Sequence, residues 1–110
     1  MSCQHKGLAD GRWGKLSLAE QMANIGSEVE RALNWKSKDN VAYSQKAFER
    51  ALELIDLTLE NTQKLPRLKE IARLREATVD YFSGTNQFRS TERLWRNYFS
   101  PFTYAARKNR

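Results

Sequence analysis

Residue types that commonly carry catalysis or bind metals are scarce in this sequence. His and Cys occur once each, as His5 and Cys3, and no Cys-x-x-Cys or His-Glu-x-x-His spacing is present. A zinc site needs several such ligands, and a Ser-His-acid triad would have to recruit His5. The segment GKLS at residues 14–17 lacks two residues that a phosphate loop requires, the first Gly and the hydroxyl residue directly after the Lys. The sequence therefore predicts no metal, no cofactor and no catalytic residue, and it favours a binding protein over an enzyme.

Arg75 is the candidate binding residue with the least usual predicted position. At about 100° per residue, the helix predicted around it places Arg75 in the middle of its apolar arc. That arc consists of Leu68, Ile71, Val79 and Phe82. A guanidinium stays charged, so an inward Arg needs a carboxylate or a phosphate partner. Two interpretations remain open: an ion pair with a neighbouring helix, for which Glu28 is the best-placed acid, or an anion site in a groove. The ion pair is the favoured one.

Four carboxylates are predicted to line one side of the second helix. They recur at steps of four, three and four residues, as Glu49, Glu53, Asp56 and Glu60. A cation held in a helical bundle needs ligands from facing helices and usually His as well. We therefore interpret this acidic stripe as a solvated face or a docking surface.

The positive charge of the protein is concentrated near its C-terminal end. Of the net charge of +6, residues 89–110 contribute +5, from six Lys or Arg and one Glu. Arg93, Arg96 and Arg107 share one side of the last predicted helix. The other side is predicted to point inward and is apolar: Leu94, Trp95, Tyr98, Phe99, Phe102 and Ala105. A basic stripe of this kind attracts RNA or an acidic protein surface.

A homodimer is expected from three features of the chain. Trp35 falls outside the apolar arc of the first predicted helix, and an exposed Trp often marks an interface. A domain of 110 residues buries only about two-thirds of its unfolded surface and gains stability from a partner subunit. The acidic and basic stripes also complement each other across a two-fold axis.

The elements that must position these residues are predicted to be helices only. Three- and four-residue hydrophobic spacing predicts helices over residues 17–37, 40–61, 66–83 and 91–107, with a kink or break at Pro101. Ser17 and Glu20 form a capping box at the first start, and Gly84 suits a left-handed residue after the third helix. Residues 1–16 are predicted to be an irregular leader and residues 17–110 a single domain. The predicted fold is an all-α antiparallel bundle of four to five helices.

The composition supports a globular protein. Hydrophobic residues make up 40% of the chain and charged residues 29%. No apolar run reaches the length of about 18 residues that a membrane span needs, and no secretory signal is evident. We expect a cytoplasmic protein that does not enter a membrane.

The helical segments resemble a known group. The stretches NIGSEVERALNWKSKDN, SQKAFERALELIDLTLEN and LKEIARLREATVDYF are similar to a group of uncharacterised bacterial proteins over about residues 20–107. Their helical layout also resembles the HEPN superfamily. In its ribonuclease members, an Arg followed after four to six residues by His, often with a nearby Tyr, carries RNA cleavage. Other members lack this motif and bind small nucleotidyltransferases.

The resemblance assigns roles to three residues. Arg75 matches the Arg of the motif, Asp80 stands in the position of the His, and Tyr81 follows it. Because the imidazole that would act as acid and base is missing, the resemblance implies a binding role. The sequence therefore predicts a homodimeric protein-binding module with a nucleotidyltransferase-like enzyme as candidate partner. RNA binding, or RNA cleavage of the HEPN type, through Arg75 and the basic C-terminal helix is the alternative.

Overall fold

Over the residues that the structure describes, the protein is a bundle of four α-helices. The structure, a computed structural model, describes residues 11–108. A short 3-10 helix, Trp13–Lys15, precedes α1 (Leu18–Ser37), α2 (Val41–Glu60), α3 (Leu65–Ser83) and α4 (Glu92–Lys108), and no strand occurs in this part of the chain. The all-α class is confirmed, and the helix bounds agree with the predicted ones to within one residue.

Local capping explains where the first two helices begin. The hydroxyl oxygen of Ser17 accepts the Glu20 N–H at 3.1 Å, and Glu20 Oε1 accepts the Ser17 N–H at 2.9 Å, which forms the predicted capping box. Asn40 caps α2 by accepting the Tyr43 N–H at 3.1 Å. Both caps satisfy amide groups that would otherwise lack a partner in the first helical turn.

One helix prediction is narrowed and another is corrected. Pro101 lies inside α4, and the helix continues across it, so residues 11–108 form four α-helices, within the predicted range of four to five. Gly84, after α3, has φ −108° and is not left-handed; Asn86 and Arg89 adopt the left-handed conformation in the following loop instead. Gly84 is required there for another reason: a Cβ would lie 2.9 Å from the carbonyl oxygen of Asp80.

The core forms around α1, which packs against α2 on one side and α4 on the other. α3 packs mainly against α2, and the backbones of α3 and α4 make few close approaches to each other. A groove therefore opens where α3 and α4 diverge. The largest fully buried side chains are Trp13, Met22, Ile25, Leu33, Ile55, Ile71, Val29, Thr58 and Thr78.

Trp13 is a core residue although the sequence places it in the leader. Its side chain is 1% exposed, and its indole Nε1 donates a 2.9 Å hydrogen bond to Oγ1 of Thr58 in α2. Gln21 in α1 donates to the Trp13 carbonyl oxygen at 2.9 Å. These contacts attach the segment before α1 to the bundle, because a buried indole gains both apolar area and a hydrogen bond. The part of the leader over residues 1–10 lies outside the described residues.

Candidate functional site

Arg75 does not occupy the inner face of α3. The buried residues of this helix are Ile71, Leu74 and Thr78, whereas the Arg75 side chain is 44% exposed. Thr78 can face the core because its hydroxyl donates to the Leu74 carbonyl oxygen at 2.7 Å and so leaves no unsatisfied polar group. The helix is thus rotated away from the orientation that the apolar arc predicts.

Arg75 instead forms an ion pair on the surface between α2 and α3. Its Nε donates to Asp56 Oδ1 at 2.8 Å, and the Asp56 side chain is 48% exposed. Glu28 was predicted as its partner, but Glu28 accepts from Arg50 Nε at 3.0 Å and from Arg31 Nη1 at 3.4 Å. Arg75 therefore points toward the side of α3 that faces α2.

The acidic stripe of α2 is a charged surface of the bundle. Asp56 is engaged by Arg75, Glu49 and Glu53 are partly buried, and Glu60 is exposed. Within residues 11–108, no group of three or more His, Cys, Asp or Glu side chains is arranged to hold a metal ion.

Asp80 fixes the loop between α3 and α4. Its two carboxylate oxygens accept the backbone N–H groups of Gln87, at 2.7 Å, and Phe88, at 3.0 Å. Its carbonyl oxygen also accepts from Gly84 and Asn86 at 3.1 Å each. Asp80 therefore serves as a loop anchor, and it determines where Phe88 lies.

Tyr81 packs between α1 and α4. Its ring lies edge-on to Trp95, with centroids 5.9 Å apart, and Lys36 Nζ lies 4.2 Å from its ring centroid. Burial raises the pKa of the Tyr81 phenol, Glu92 raises it further, and Arg96 opposes the change. Its hydroxyl is therefore kept in the neutral form.

The basic stripe of α4 divides into paired and unpaired arginines. Arg96 Nε donates to both oxygens of Glu30 in α1, at 3.0 and 3.1 Å, and Arg96 Nη1 donates to Glu92 at 3.2 Å. The hydrogen bond to Glu30 is the main reason why the pKa of Arg96 is raised. Arg93 and Arg107 are exposed and form no ion pair with any residue between 11 and 108. Of the three arginines in the basic stripe, these two therefore remain available to an outside anion.

Trp35 is half-buried at the end of α1. Its ring meets Tyr43 of α2 edge-on, with centroids 4.8 Å apart, and Lys38 Nζ lies 5.3 Å from its centroid. The predicted interface marker thus has contacts within its own chain, across the turn from α1 to α2.

The divergence of α3 and α4 creates an apolar groove, here called the α3–α4 groove, of about 580 Å³. Leu94, 56% exposed, and Phe88, 46% exposed, lie at its edge, and Trp95 forms part of its floor. The buried indole N–H of Trp95 has no acceptor among the described residues. The complete lining is Glu70, Arg73, Leu74, Ala77, Phe88, Ser90, Leu94, Trp95, Asn97 and Tyr98.

A second groove, of about 560 Å³, lies between α1 and α4. Its floor contains Gly26 and Phe99, where the two helices approach closely, and its rim carries the Arg96–Glu30 ion pair and Arg107. This groove also carries a net positive charge, from Arg31, Arg96 and Arg107 against Glu30, but the exposed apolar side chains Leu94 and Phe88 line the α3–α4 groove and not this one.

Sequence reasoning missed the groove because it placed Leu94 inside the bundle. The apolar side of α4 spans about 140° at 100° per residue, which is wider than one packing face requires. This excess width indicates that part of the apolar side of α4 can remain exposed. Phe88 gave no periodic signal, since it lies in a loop.

Comparison with protein families, curated proteins and solved structures gives no match to this chain. None of the helices in the described range is long and apolar enough to cross a membrane.

Proposed function

We propose that this protein is a non-catalytic binding module that receives a helix of a protein partner in the α3–α4 groove. The observation that carries the proposal is the exposure of Leu94 and Phe88, 56% and 46%, beside an open apolar floor. Large apolar side chains grouped at a groove are typical of a protein interface, whereas single exposed ones are common on any surface.

The contacts of the HEPN-like positions support binding rather than catalysis. Asp80 uses both carboxylate oxygens to hold the loop, and Arg75 is engaged by Asp56 on another side of α3. A general base must reach the proton that it removes, and the hydrogen bonds of Asp80 occupy it elsewhere.

Site-specific photo-crosslinking tests the proposal. A photoreactive amino acid at Leu94 should form a covalent adduct with one defined protein in an extract of the source cells. The matched control is the same amino acid at Val41, which is 77% exposed at the start of α2, away from the groove. Phe88→Ser should reduce the adduct at Leu94, and equal adduct yields at both positions, or none, would contradict the proposal.

The predicted homodimer and the nucleotidyltransferase-like partner remain predictions. Sedimentation equilibrium of the full chain tests the dimer, and the identity of the adduct tests the partner.

RNA binding at α4 is the second candidate function, and the unpaired state of Arg93 and Arg107 favours it. RNA affinity should then fall steeply as salt rises. Arg93→Ala with Arg107→Ala should flatten that dependence, whereas Arg96→Ala should have a smaller effect because Glu30 and Glu92 already bind Arg96. Salt-insensitive RNA binding, or no binding, excludes this candidate.

A further inference from the structure

Arg73 lines the α3–α4 groove, and two further arginines, Arg89 and Arg93, lie next to lining residues in the chain. Arg89 lies in the loop between two lining residues, and Arg93 lies one helical turn before the lining residue Asn97. All three side chains are exposed, and none forms an ion pair with a residue in the range 11–108.

The carboxylates beside the groove are already engaged. Glu70 accepts from Arg67 at 2.6 Å through one oxygen and from Tyr98 at 2.9 Å through the other. Asp80 binds the loop amides, and Glu92 binds Arg96. The exposed Lys69 and Glu76 both lie one helical turn from Arg73 on the same face of α3, one on each side of it, so these two charges offset each other. The rim therefore presents uncompensated positive charge around an apolar floor.

The dimensions of the groove suit a short helix. Its α3 wall extends from Glu70 to Ala77, about two helical turns, and its α4 wall from Leu94 to Tyr98. A helix bound in such a groove inserts apolar side chains spaced three or four residues apart.

We propose that the occupant of the α3–α4 groove is an acidic amphipathic helix, with apolar side chains on the floor and Asp or Glu toward Arg73, Arg89 and Arg93. This inference rests on the proposed protein-binding function and adds the chemistry of the partner. Complementary charges around an apolar contact raise the association rate and disfavour partners of the wrong sign.

A second copy of this chain does not supply that helix. α2 is its acidic helix, but the apolar side of α2, including Phe48, Leu54 and Ile55, is buried in the bundle. Docking α2 would therefore offer carboxylates without apolar anchors, which points to a different protein as the partner.

Two matched peptides test the proposal on the full chain. Each is a fluorescein-labelled helix of about four turns with Leu at a three- and four-residue spacing, flanked by Glu in one peptide and by Lys in its twin. The Glu peptide should bind at least about tenfold more tightly at low salt, and the advantage should shrink as salt rises. Leu94→Asp and Phe88→Ser should each weaken binding of the Glu peptide, and circular dichroism checks that the variants fold.

Charge reversal provides the decisive comparison. Arg73→Glu with Arg93→Glu should remove or invert the preference for the Glu peptide. Arg107→Glu makes the same kind of charge change about four helical turns farther along α4, outside the lining of the groove, and should leave the preference in place. Equal binding of the two peptides, tighter binding of the Lys peptide, or binding of neither would overturn the acidic helix as occupant. The proposed function fails separately, if Leu94 yields no protein adduct in photo-crosslinking.

Discussion

The hydroxyl of Tyr98 in α4 donates a 2.9 Å hydrogen bond to Oε2 of Glu70 in α3. It links the two walls of the α3–α4 groove across a separation of 28 positions in the sequence. Since the backbones of these helices approach each other little, this side-chain contact helps to set the spacing of the walls. Arg67 holds the other oxygen of Glu70 and so orients the carboxylate.

We predict that Tyr98 makes the fold sensitive to alkaline pH. The pKa of Tyr98 is raised above its ordinary value of about 10, mainly by burial and, as the second cause, by the hydrogen bond to Glu70. A pKa that is higher in the folded state gives stability that is present below about pH 10 and is lost as the pH rises through the folded value. Tyr98→Phe should therefore unfold more easily at neutral pH, by about 1 kcal/mol, yet lose less stability than the wild type above pH 10.

Urea denaturation of both proteins across this pH range measures the difference. Other tyrosines and lysines titrate in both proteins and cancel in the comparison. Parallel stability curves for the wild type and Tyr98→Phe would show that the phenol is not protected by the fold.

Asp80 is predicted to control the order of the groove edge. Asp80→Ala removes the acceptor of the Gln87 and Phe88 amides. The loss of these hydrogen bonds should lower the stability of the closed loop by about 1 kcal/mol. Hydrogen exchange of those two amides should become about fivefold faster, since 1.4 kcal/mol corresponds to tenfold. Glu76→Ala, which removes an exposed acid from the same helix, should leave both rates unchanged; an equal effect of the two variants would refute the anchor role.

Gly26 is predicted to be essential for the close approach of α1 and α4. A Cβ at this position would lie 2.7 Å from Phe99 Cγ and 2.8 Å from Phe99 Cβ. Gly26→Ala should destabilise the protein by about 1–3 kcal/mol, although Ala is the better helix former by about 1 kcal/mol. Ser27→Ala, at the exposed next position, is the control. The loss of stability caused by Gly26→Ala should be smaller when Phe99 is also replaced by Leu. If Gly26→Ala left the stability unchanged, the close packing of Gly26 against Phe99 would be contradicted.

Thr58 is predicted to matter more than Thr78, although both are 0% exposed. Thr58→Val keeps the shape but removes the acceptor of the Trp13 indole N–H, and a buried donor left unpaired costs about 1–3 kcal/mol. The Thr78 hydroxyl only donates to Leu74 in its own helix, so Thr78→Val leaves no donor without a partner. Chemical denaturation measures the free energy of unfolding of the two variants. Equal losses of stability in Thr58→Val and Thr78→Val would show that Thr58 does not hold Trp13 in the core.

Much of the fold could be predicted from local signals. Hydrophobic spacing located all four helices, and the Ser17–Glu20 capping box predicted the start of α1. These features depend on residues close in sequence, which one chain reveals without knowledge of its tertiary packing.

The candidate site was less predictable because it depends on how helices rotate against each other. Helical periodicity predicted that Arg75 points inward. The core position is taken by Thr78 instead, because the Thr78 hydroxyl donates a hydrogen bond within α3, which hydrophobic spacing does not reveal. It also placed Leu94 inward, whereas the divergence of α3 and α4 leaves that side chain 56% exposed. Trp13 was missed because its burial depends on Thr58, 45 positions away.

Mapping of amide chemical shifts on the full chain tests the central claim most directly. On addition of the Glu-flanked peptide, the account predicts shifts confined to the two walls of the α3–α4 groove, residues 70–77 and 94–98, and to Phe88. Shifts centred instead on Gly26 and Thr103, in the groove between α1 and α4, or no shifts at saturating peptide, would contradict it.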